Sequence, residues 1–321
     1  MITASINIMP EVPVPDIVAL ARHAEELGFR RCWVYDEGLA ARDVYVTLAA
    51  IASATDSLLV GPGITNPYTR HPGATAAAIA TLDDLSGGRA FLGIGAGGSL
   101  TLEPLGIDRR YAMTAVRETM EACRALFSGE AVDYEGRHFG LDRARLDYAR
   151  PDIEVWLAGR GPKMLALGGS VADGVMLEYI HRALLDREIA RVTEAAAAAG
   201  NEPSLCYSTQ VVTNQATMDA TKPHMTYRLV DSPGHVQEMM GIGDDDVAAI
   251  RNAMPRGLDA AGQLIKDEWV EPFVIVGSID ECAGQMRDLE AKGVAEFLLP
   301  LLDAESAVQQ MDDLAEIMAR V

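Results

Sequence analysis

The fold is decided by residues 58–80, LLVGPGITNPYTRHPGATAAAIA, in which an apolar run leads through a loop into an alanine-rich run. The apolar start predicts a strand, and the alanine-rich end predicts a helix. The loop between them, residues 61–72, contains glycines that let a flat ligand approach the main chain. Pro72 stands where the first turn of a helix tolerates proline. Such a strand, loop and helix are typical of a ligand-binding loop in an α/β enzyme.

Short apolar strands and amphipathic helices alternate on both sides of this stretch. In the first helix, residues 16–27, apolar side chains recur at helical spacing and Gly28 ends the helix. Eight strands separated by helices predict the α/β class and a parallel (β/α)8 TIM barrel. An open doubly wound sheet is the alternative, but glycine-rich loops follow several strands here and not the first alone. The predicted strands are residues 5–9, 31–35, 58–61, 90–94, 154–157, 174–177, 206–212 and 297–301, and residues 131–140 are predicted to form a hairpin that turns at Glu135-Gly136.

The alternation lapses at residues 216–271, which contain Pro223, Pro233 and Pro255 and an acidic run at residues 244–246. We interpret this segment as a mostly helical insertion before the last βα unit that covers the mouth of the site. A surface excursion without function is the alternative interpretation. Residues 1–321 are otherwise predicted to form a single barrel domain.

The composition is that of an acidic protein with a large apolar core. The chain has 49% hydrophobic residues, a formal net charge of −20 and a pI of about 4.6. Nucleic acids and anionic membrane surfaces call for clustered lysine and arginine, so neither is expected as a partner. A small-molecule substrate is expected instead.

The four cysteines are dispersed and form no CxxC pair, and the histidines show no HxH or HxxxH spacing. Neither a disulfide framework nor a metal site is therefore predicted. The first residues show no signal peptide, and no apolar run is long enough for a membrane span. We expect a cytoplasmic protein with reduced thiols.

The segment Ala158-Gly159-Arg160-Gly161-Pro162-Lys163-Met164 is a candidate phosphate-binding loop. Its glycines expose backbone N–H groups, a helix is predicted to begin near Pro162 with its positive dipole end, and two side chains add positive charge. A plain turn between strand and helix with solvated charges is the alternative. In a barrel, this loop would lie at the C-terminal ends of the strands, where binding groups gather.

Four segments together resemble one family, the luciferase-like flavin and deazaflavin oxidoreductases. They are GPGITNPYTRHP, LDDLSGGRAFLGIGAGG, WLAGRGPKMLALGGSVADGVML and GSIDECAGQMRDLEAKGVAEFLLPL, and in that order they span nearly the whole chain. The chain is most similar to the branch of coenzyme F-420-dependent methylenetetrahydromethanopterin reductases. The resemblance implies that the loop around Arg160 and Lys163 holds the phosphate-bearing tail of the cofactor.

The resemblance also implies which residues bind the cofactor ring. Residues Gly63, Ile64, Thr65 and Asn66 would support the ring from one face, with a non-prolyl cis peptide bond at Gly63-Ile64. The run Gly95-Ala96-Gly97 would line the ring pocket. A GxGxGG run after a strand could also indicate a dinucleotide site, but the residues that follow are a poor helix opening, so we reject a Rossmann site.

Three positions, Asp36, Glu37 and Asn7, bear on which side chain could donate a proton. Relatives carry an acidic residue at the position of Asp36, often followed by histidine, where this chain has Glu37. A carboxylate in a partly desolvated pocket could serve as an acid, although Glu37 could equally face solvent. The reductase branch usually has a glutamate where this chain has Asn7, which can hydrogen-bond but cannot donate a proton as an acid. We therefore predict a related reductase whose substrate differs from the pterin.

The predicted function is hydride transfer between coenzyme F-420 and a small organic substrate, with the cofactor carrying the chemistry. One alternative is an FMN-dependent two-component monooxygenase, which would need a flavin reductase as its partner. Another is a non-catalytic flavin-binding protein on the same scaffold. By resemblance a homodimer is expected, because the helix after the second strand is rich in small residues, with Ala49, Ala50, Ala52 and Ala54 in or next to it.

Overall fold

The structure is a computed structural model that describes residues 1–321. Eight parallel strands form one sheet in the order β3-β2-β1-β12-β9-β8-β7-β4, and β10 pairs with β11 and β5 with β6 in two small sheets. Single bridges from Val60 to Ala90 and from Thr65 to Ile94 connect β3 with β4, so the sheet closes on itself. The predicted TIM barrel is confirmed. The strands are β1 Thr3–Ile8, β2 Arg31–Val34, β3 Leu59–Pro62, β4 Leu92–Ile94, β5 Val132–Glu135, β6 Gly140–Ala144, β7 Val155–Gly159, β8 Gly174–Glu178, β9 Ser204–Ser208, β10 Val211–Val212, β11 Ile275–Val276 and β12 Val294–Leu301.

Helices surround the barrel. They alternate with the strands as the sequence pattern predicted, apart from the cluster that follows β10, and α14 follows the last strand. They are α1 Val14–Glu26, α2 Val44–Ala52, α3 Pro72–Ser86, α4 Ser99–Leu102, α5 Ala112–Phe127, α6 Pro162–Val171, α7 Leu185–Ala199, α8 Gln215–Val230, α9 Gly234–Met240, α10 Asp244–Ala253, α11 Leu258–Gly262, α12 Asp267–Val270, α13 Ile279–Ala291 and α14 Ala307–Met318.

Helix α3 shows how local sequence sets these boundaries. Pro72 is its first residue, where a missing N–H costs no helical hydrogen bond. The Nδ1 atom of His71 accepts from the N–H of Gly73 and caps the helix start. Gly87 ends the helix with a φ of 69°, a left-handed conformation that glycine adopts without steric cost.

The N-terminal half of the barrel interior is filled by aromatic side chains around a buried ion pair. The ring centroids of Phe91 and Trp156 lie 4.4 Å and 5.5 Å from that of Trp33, both edge-on. Arg31 donates from Nε to Glu296 at 2.9 Å, and both residues are almost fully buried. Arg31, Phe91 and Trp156 lie at or next to the first residues of β2, β4 and β7, so this layer fills the barrel away from the C-terminal ends of the strands.

Helices α8 to α12 form the insertion that the sequence predicted. They have an apolar core of their own, which includes Met225, Trp269 and Phe273. The two-stranded parallel pair of β10 and β11 joins the beginning of the insertion to its end. No helix in the structure is both long and apolar enough to cross a bilayer.

Two predicted elements were wrong in detail. The predicted strand at residues 206–212 is divided into β9 and β10, because Thr209 donates its hydroxyl to Phe273 O at 2.5 Å and Gln210 donates its amide to Pro300 O at 2.6 Å. The hairpin runs from Val132 to Ala144, and its turn begins at Gly136, whose N–H donates to Phe139 O. The division of the strand comes from long-range contacts that short-range patterning does not contain.

Candidate active site

A cavity of about 350 Å³ lies at the C-terminal ends of the barrel strands. The loops after β2, β3 and β4 and the ends of β7 and β8 supply its walls, as the barrel prediction required. Its lining residues are Tyr35, Asp36, Glu37, Gly63, Ile64, Asn66, Ala96, Gly97, Gly98, Thr101, Arg109, Ala158, Gly159, Arg160, Met176 and Glu178.

The loop after β3 forms one wall of this cavity. The peptide bond between Gly63 and Ile64 is cis, as the resemblance implied. Thr65 bridges to the β4 side, since its N–H donates to Gly93 O and its carbonyl accepts from the N–H of Gly95, both at 3.0 Å. A Cβ atom on Gly95 would lie 2.1 Å from Cδ1 of Ile64. A side chain at residue 95 would therefore displace Ile64 into the cavity.

Asn7 lies behind this wall and does not line the cavity. Its side chain is buried, and its Nδ2 donates to Gly63 O at 2.6 Å. Its Oδ1 has no hydrogen-bond partner. The structure thus places Asn7 against the loop that the resemblance assigns to the ring, where it can fix the position of Gly63.

Asp36 stands at the end of β2 and faces the cavity. Its Oδ2 accepts from the hydroxyl of Thr65 at 2.6 Å, and Thr65 is itself fully buried. Burial raises the pKa of Asp36, and the nearby carboxylate of Asp43 raises it further. The carboxyl group is therefore held rigidly and resists ionisation.

Glu37 also faces the cavity. Its Oε2 accepts from the hydroxyl of Thr101 at 2.7 Å. Burial raises the pKa of Glu37, and the negative charges of Glu178 and Asp36 raise it further. Neither Glu37 nor Asp36 forms an ion pair with an arginine or lysine, whereas Glu178 does, so these two are the cavity carboxyl groups suited to hold a proton.

The candidate phosphate loop forms a second groove beside the cavity. Helix α6 begins at Pro162, and no side chain caps its N-terminus at Gly161. The backbone N–H groups of Gly161 and Lys163 donate to no acceptor within the protein. The groove is lined by Ala96, Met113, Ala158, Gly159, Arg160, Gly161, Pro162, Lys163 and Met164. Four of these residues, Ala96, Ala158, Gly159 and Arg160, also line the cavity, so the two spaces are adjacent.

The family model for luciferase-like monooxygenases matches residues 2–296. The chain belongs to this family. Among its relatives, the 5,10-methylenetetrahydromethanopterin reductase of Methanolobus tindarius is 32% identical over 92% of this chain and 93% of its own. The enzyme of the same name from Archaeoglobus fulgidus is 31% identical, over 91% of each chain.

A solved structure agrees with these relatives. The coenzyme F-420-dependent tetrahydromethanopterin reductase of Methanopyrus kandleri superposes with a TM-score of 0.89 and 27% identity, over 100% of this chain and 99% of the other. The resemblance that the sequence indicated, including the branch, is confirmed.

Six residues that line this cavity were not named as site residues by the sequence analysis: Tyr35, Gly98, Thr101, Arg109, Met176 and Glu178. Three of them carried a usable signal, because Tyr35, Met176 and Glu178 lie at the ends of predicted strands, where barrel ligands bind. Thr101 and Arg109 come from the excursion between β4 and α5, and nothing in their local sequence indicates that they reach the cavity.

Proposed function

We propose that this protein binds coenzyme F-420 and catalyses hydride transfer between that cofactor and a small organic substrate. The observation that carries this proposal is that the carboxyl-lined cavity and the groove at the start of α6 are adjacent and share four lining residues. A flat ring with a phosphate-bearing tail needs both spaces side by side. The relatives named above support the cofactor, since the Methanopyrus kandleri enzyme is F-420-dependent by name.

The residues present suit such a cofactor. Residues 63–66 and 95–97 offer a close-packed wall for the ring, and the free N–H groups of Gly161 and Lys163 offer donors for phosphate oxygens. A helix N-terminus adds its positive dipole end to this position. The cofactor, when bound, supplies or accepts the hydride.

The protein must then supply or accept the proton. We propose Glu37 for this role, because its raised pKa keeps it protonated closer to neutral pH than an ordinary glutamate. Asp36, positioned by the hydroxyl of Thr65, would orient the ring edge, and Asn7 would act only by holding Gly63. Because Asn7 replaces the glutamate usual in the reductase branch, we propose that the substrate is not the pterin of those relatives.

The test is equilibrium binding of F-420 and FMN to the purified protein, measured side by side by fluorescence quenching. We expect F-420 to bind in the micromolar range or tighter and FMN to bind roughly tenfold more weakly or worse. A preference for FMN would overturn the proposal in favour of a two-component monooxygenase. Binding of neither ligand would overturn the assignment of Gly63, Gly97 and Gly161 to the cofactor.

We propose two further properties with this function. The four cysteines are unpaired and buried, which fits a reducing compartment such as the cytoplasm. The mostly apolar groove between α2 and α3 fits a homodimer contact in which Ala49 takes part, whereas Ala50 does not line this groove. Ala52 and Ala54 do not contribute in the way the sequence suggested, because Ala52 is buried within the protomer and Ala54 lies beyond the end of α2.

A further inference from the structure

Arg160 belongs to the candidate phosphate loop, but its side chain is paired with Glu178, which lines the cavity and not the phosphate groove. Its Nη2 and Nε donate to Oε2 of Glu178 at 2.6 Å and 3.2 Å. Glu178 is the last residue of β8, the strand next to β7, where Gly159 is aligned with Leu177. The parallel register of these two strands therefore brings the acid beside the loop.

The pairing changes the charge of the phosphate groove. Arg160 and Lys163 together would give the groove two positive side chains, but the carboxylate of Glu178 neutralises the first of them. Lys163 makes no ion pair and is exposed. One uncompensated cation and the helix dipole therefore remain for an incoming phosphate.

Phosphate groups differ in the charge that they bring. A monoester, as in FMN, carries about −1.5 to −2 at pH 7. A diester, as in the tail of a deazaflavin cofactor, has one ionisable oxygen and a single negative charge. A groove with one free cation matches the diester, whereas a groove with two free cations would favour the monoester.

We propose that Glu178 is a cofactor-specificity residue, which holds Arg160 away from the phosphate groove and so favours a phosphodiester cofactor over a phosphomonoester. This inference rests on the proposed function for the cofactor, and it adds the reason why FMN is disfavoured at the same groove. Glu178 acts through Arg160, so it is a positioning residue in this role.

The test compares binding of F-420, FMN and inorganic phosphate to wild type, Glu178→Gln, Arg160→Gln and the double variant. Fluorescence quenching reports the two cofactors, and the linewidth of the phosphorus NMR signal reports inorganic phosphate. In Glu178→Gln the freed Arg160 should strengthen FMN binding about tenfold relative to F-420, as expected for one added charge pair. Arg160→Gln leaves the carboxylate of Glu178 without its partner, so it should weaken binding of all three ligands, and the double variant should show no gain over wild type. Glu103→Gln, an exposed glutamate outside the cavity, controls for the substitution, and circular dichroism checks that each variant is folded.

Two results would overturn the inference. One is an unchanged ratio of F-420 to FMN affinity in Glu178→Gln. The other is a gain that persists in the double variant, which would assign the effect to direct repulsion by Glu178. Both results compare the ratio of F-420 to FMN affinity between variants. They therefore test the role of Glu178 even if wild type prefers FMN and the proposed function fails. If neither cofactor binds, the phosphate signal decides: a gain in Glu178→Gln that needs Arg160 supports the inference, and no gain overturns it.

Discussion

At the scale of single residues, the most informative feature is a pair of adjacent carboxyl groups, Asp36 and Glu37, each bonded to a threonine hydroxyl. The hydroxyl groups come from opposite sides, Thr65 from the loop after β3 and Thr101 from α4. Burial raises the pKa of both acids, so both retain protons more readily than exposed carboxyl groups do. Raised carboxyl pKa values in a cavity are typical of acid–base sites.

Glu37→Gln should stabilise the protein above the ordinary titration range of glutamate. A carboxyl pKa raised in the folded state means that the native protein binds the proton more tightly than the unfolded chain. Stability is therefore fully present below the unfolded value of 4.5 and falls as pH rises through the folded value. Glutamine does not titrate, so the variant should lack this decline. Urea unfolding between pH 4 and 8 measures it, with Glu103→Gln as the control.

The same substitution should slow turnover about a hundredfold or more once a substrate is found. The wild-type rate of a step that needs protonated Glu37 should fall as pH rises through the raised pKa, and the variant should lose that dependence. If the free energy of unfolding changed with pH in the same way in wild type and Glu37→Gln, the raised pKa of Glu37 would be contradicted. An unchanged pH–rate profile in the variant would contradict its role as the acid.

At the scale of secondary-structure elements, one contact connects the insertion to the cavity. Arg228 of α8 donates from Nε to Tyr179 O at 2.8 Å, and its guanidinium carbon lies 5.1 Å from the ring centroid of Phe273. Tyr179 has a φ of 44°, a left-handed conformation that is costly for tyrosine. Tyr179 directly follows Glu178, which lines the cavity. Burial lowers the pKa of Arg228 to about 10, and the charge of Arg160 adds to this effect.

Arg228→Met keeps the apolar stem but leaves Tyr179 O without its donor. An unsatisfied carbonyl costs about 1–3 kcal/mol, so α8 and residues 178–181 should open more often while the barrel strands are unaffected. Hydrogen exchange followed by mass spectrometry should show faster exchange in those two segments. The exposed Arg256→Met is the matched control in the same insertion. Equal exchange in both variants would show that this contact does not hold the insertion in place.

At the scale of the whole molecule, an apolar surface remains uncovered between α2 and α3. Val46 is 65% exposed and Leu85 is 51% exposed, and both line a groove with several alanines. Exposed apolar patches of this kind often mark an interface between proteins. We have proposed that a second copy of the chain covers it.

Val46→Lys combined with Leu85→Lys should convert the dimer to a monomer, because two buried charges without partners oppose association. Light scattering coupled to size exclusion measures the mass. Leu105→Lys, at an exposed leucine outside this groove, should leave the mass unchanged. A wild-type monomer, or a dimer that survives the double substitution, would exclude this face as the interface.

Local patterning was enough to predict the barrel. The eight strands follow from apolar runs, and the start of α6 at Pro162 follows from proline and glycine placement, since these signals act over a few residues. The loops at the C-terminal strand ends were predicted for the same reason. That residues 1–321 form one domain stays a prediction.

The amino-acid sequence by itself determined the fold, the family and the loops that frame the site. Only the tertiary structure decided which side chains meet there. The hydroxyl of Thr101 donates to Glu37, which is 64 positions away in the sequence, and Glu178 pairs with Arg160 of the phosphate loop, 18 positions away. Strand and helix signals are local, whereas these partners depend on strand register and on the path of an irregular segment. The sequence therefore indicated which loops surround the cavity, and the tertiary structure decided which charged side chains there are paired and which are buried without a partner.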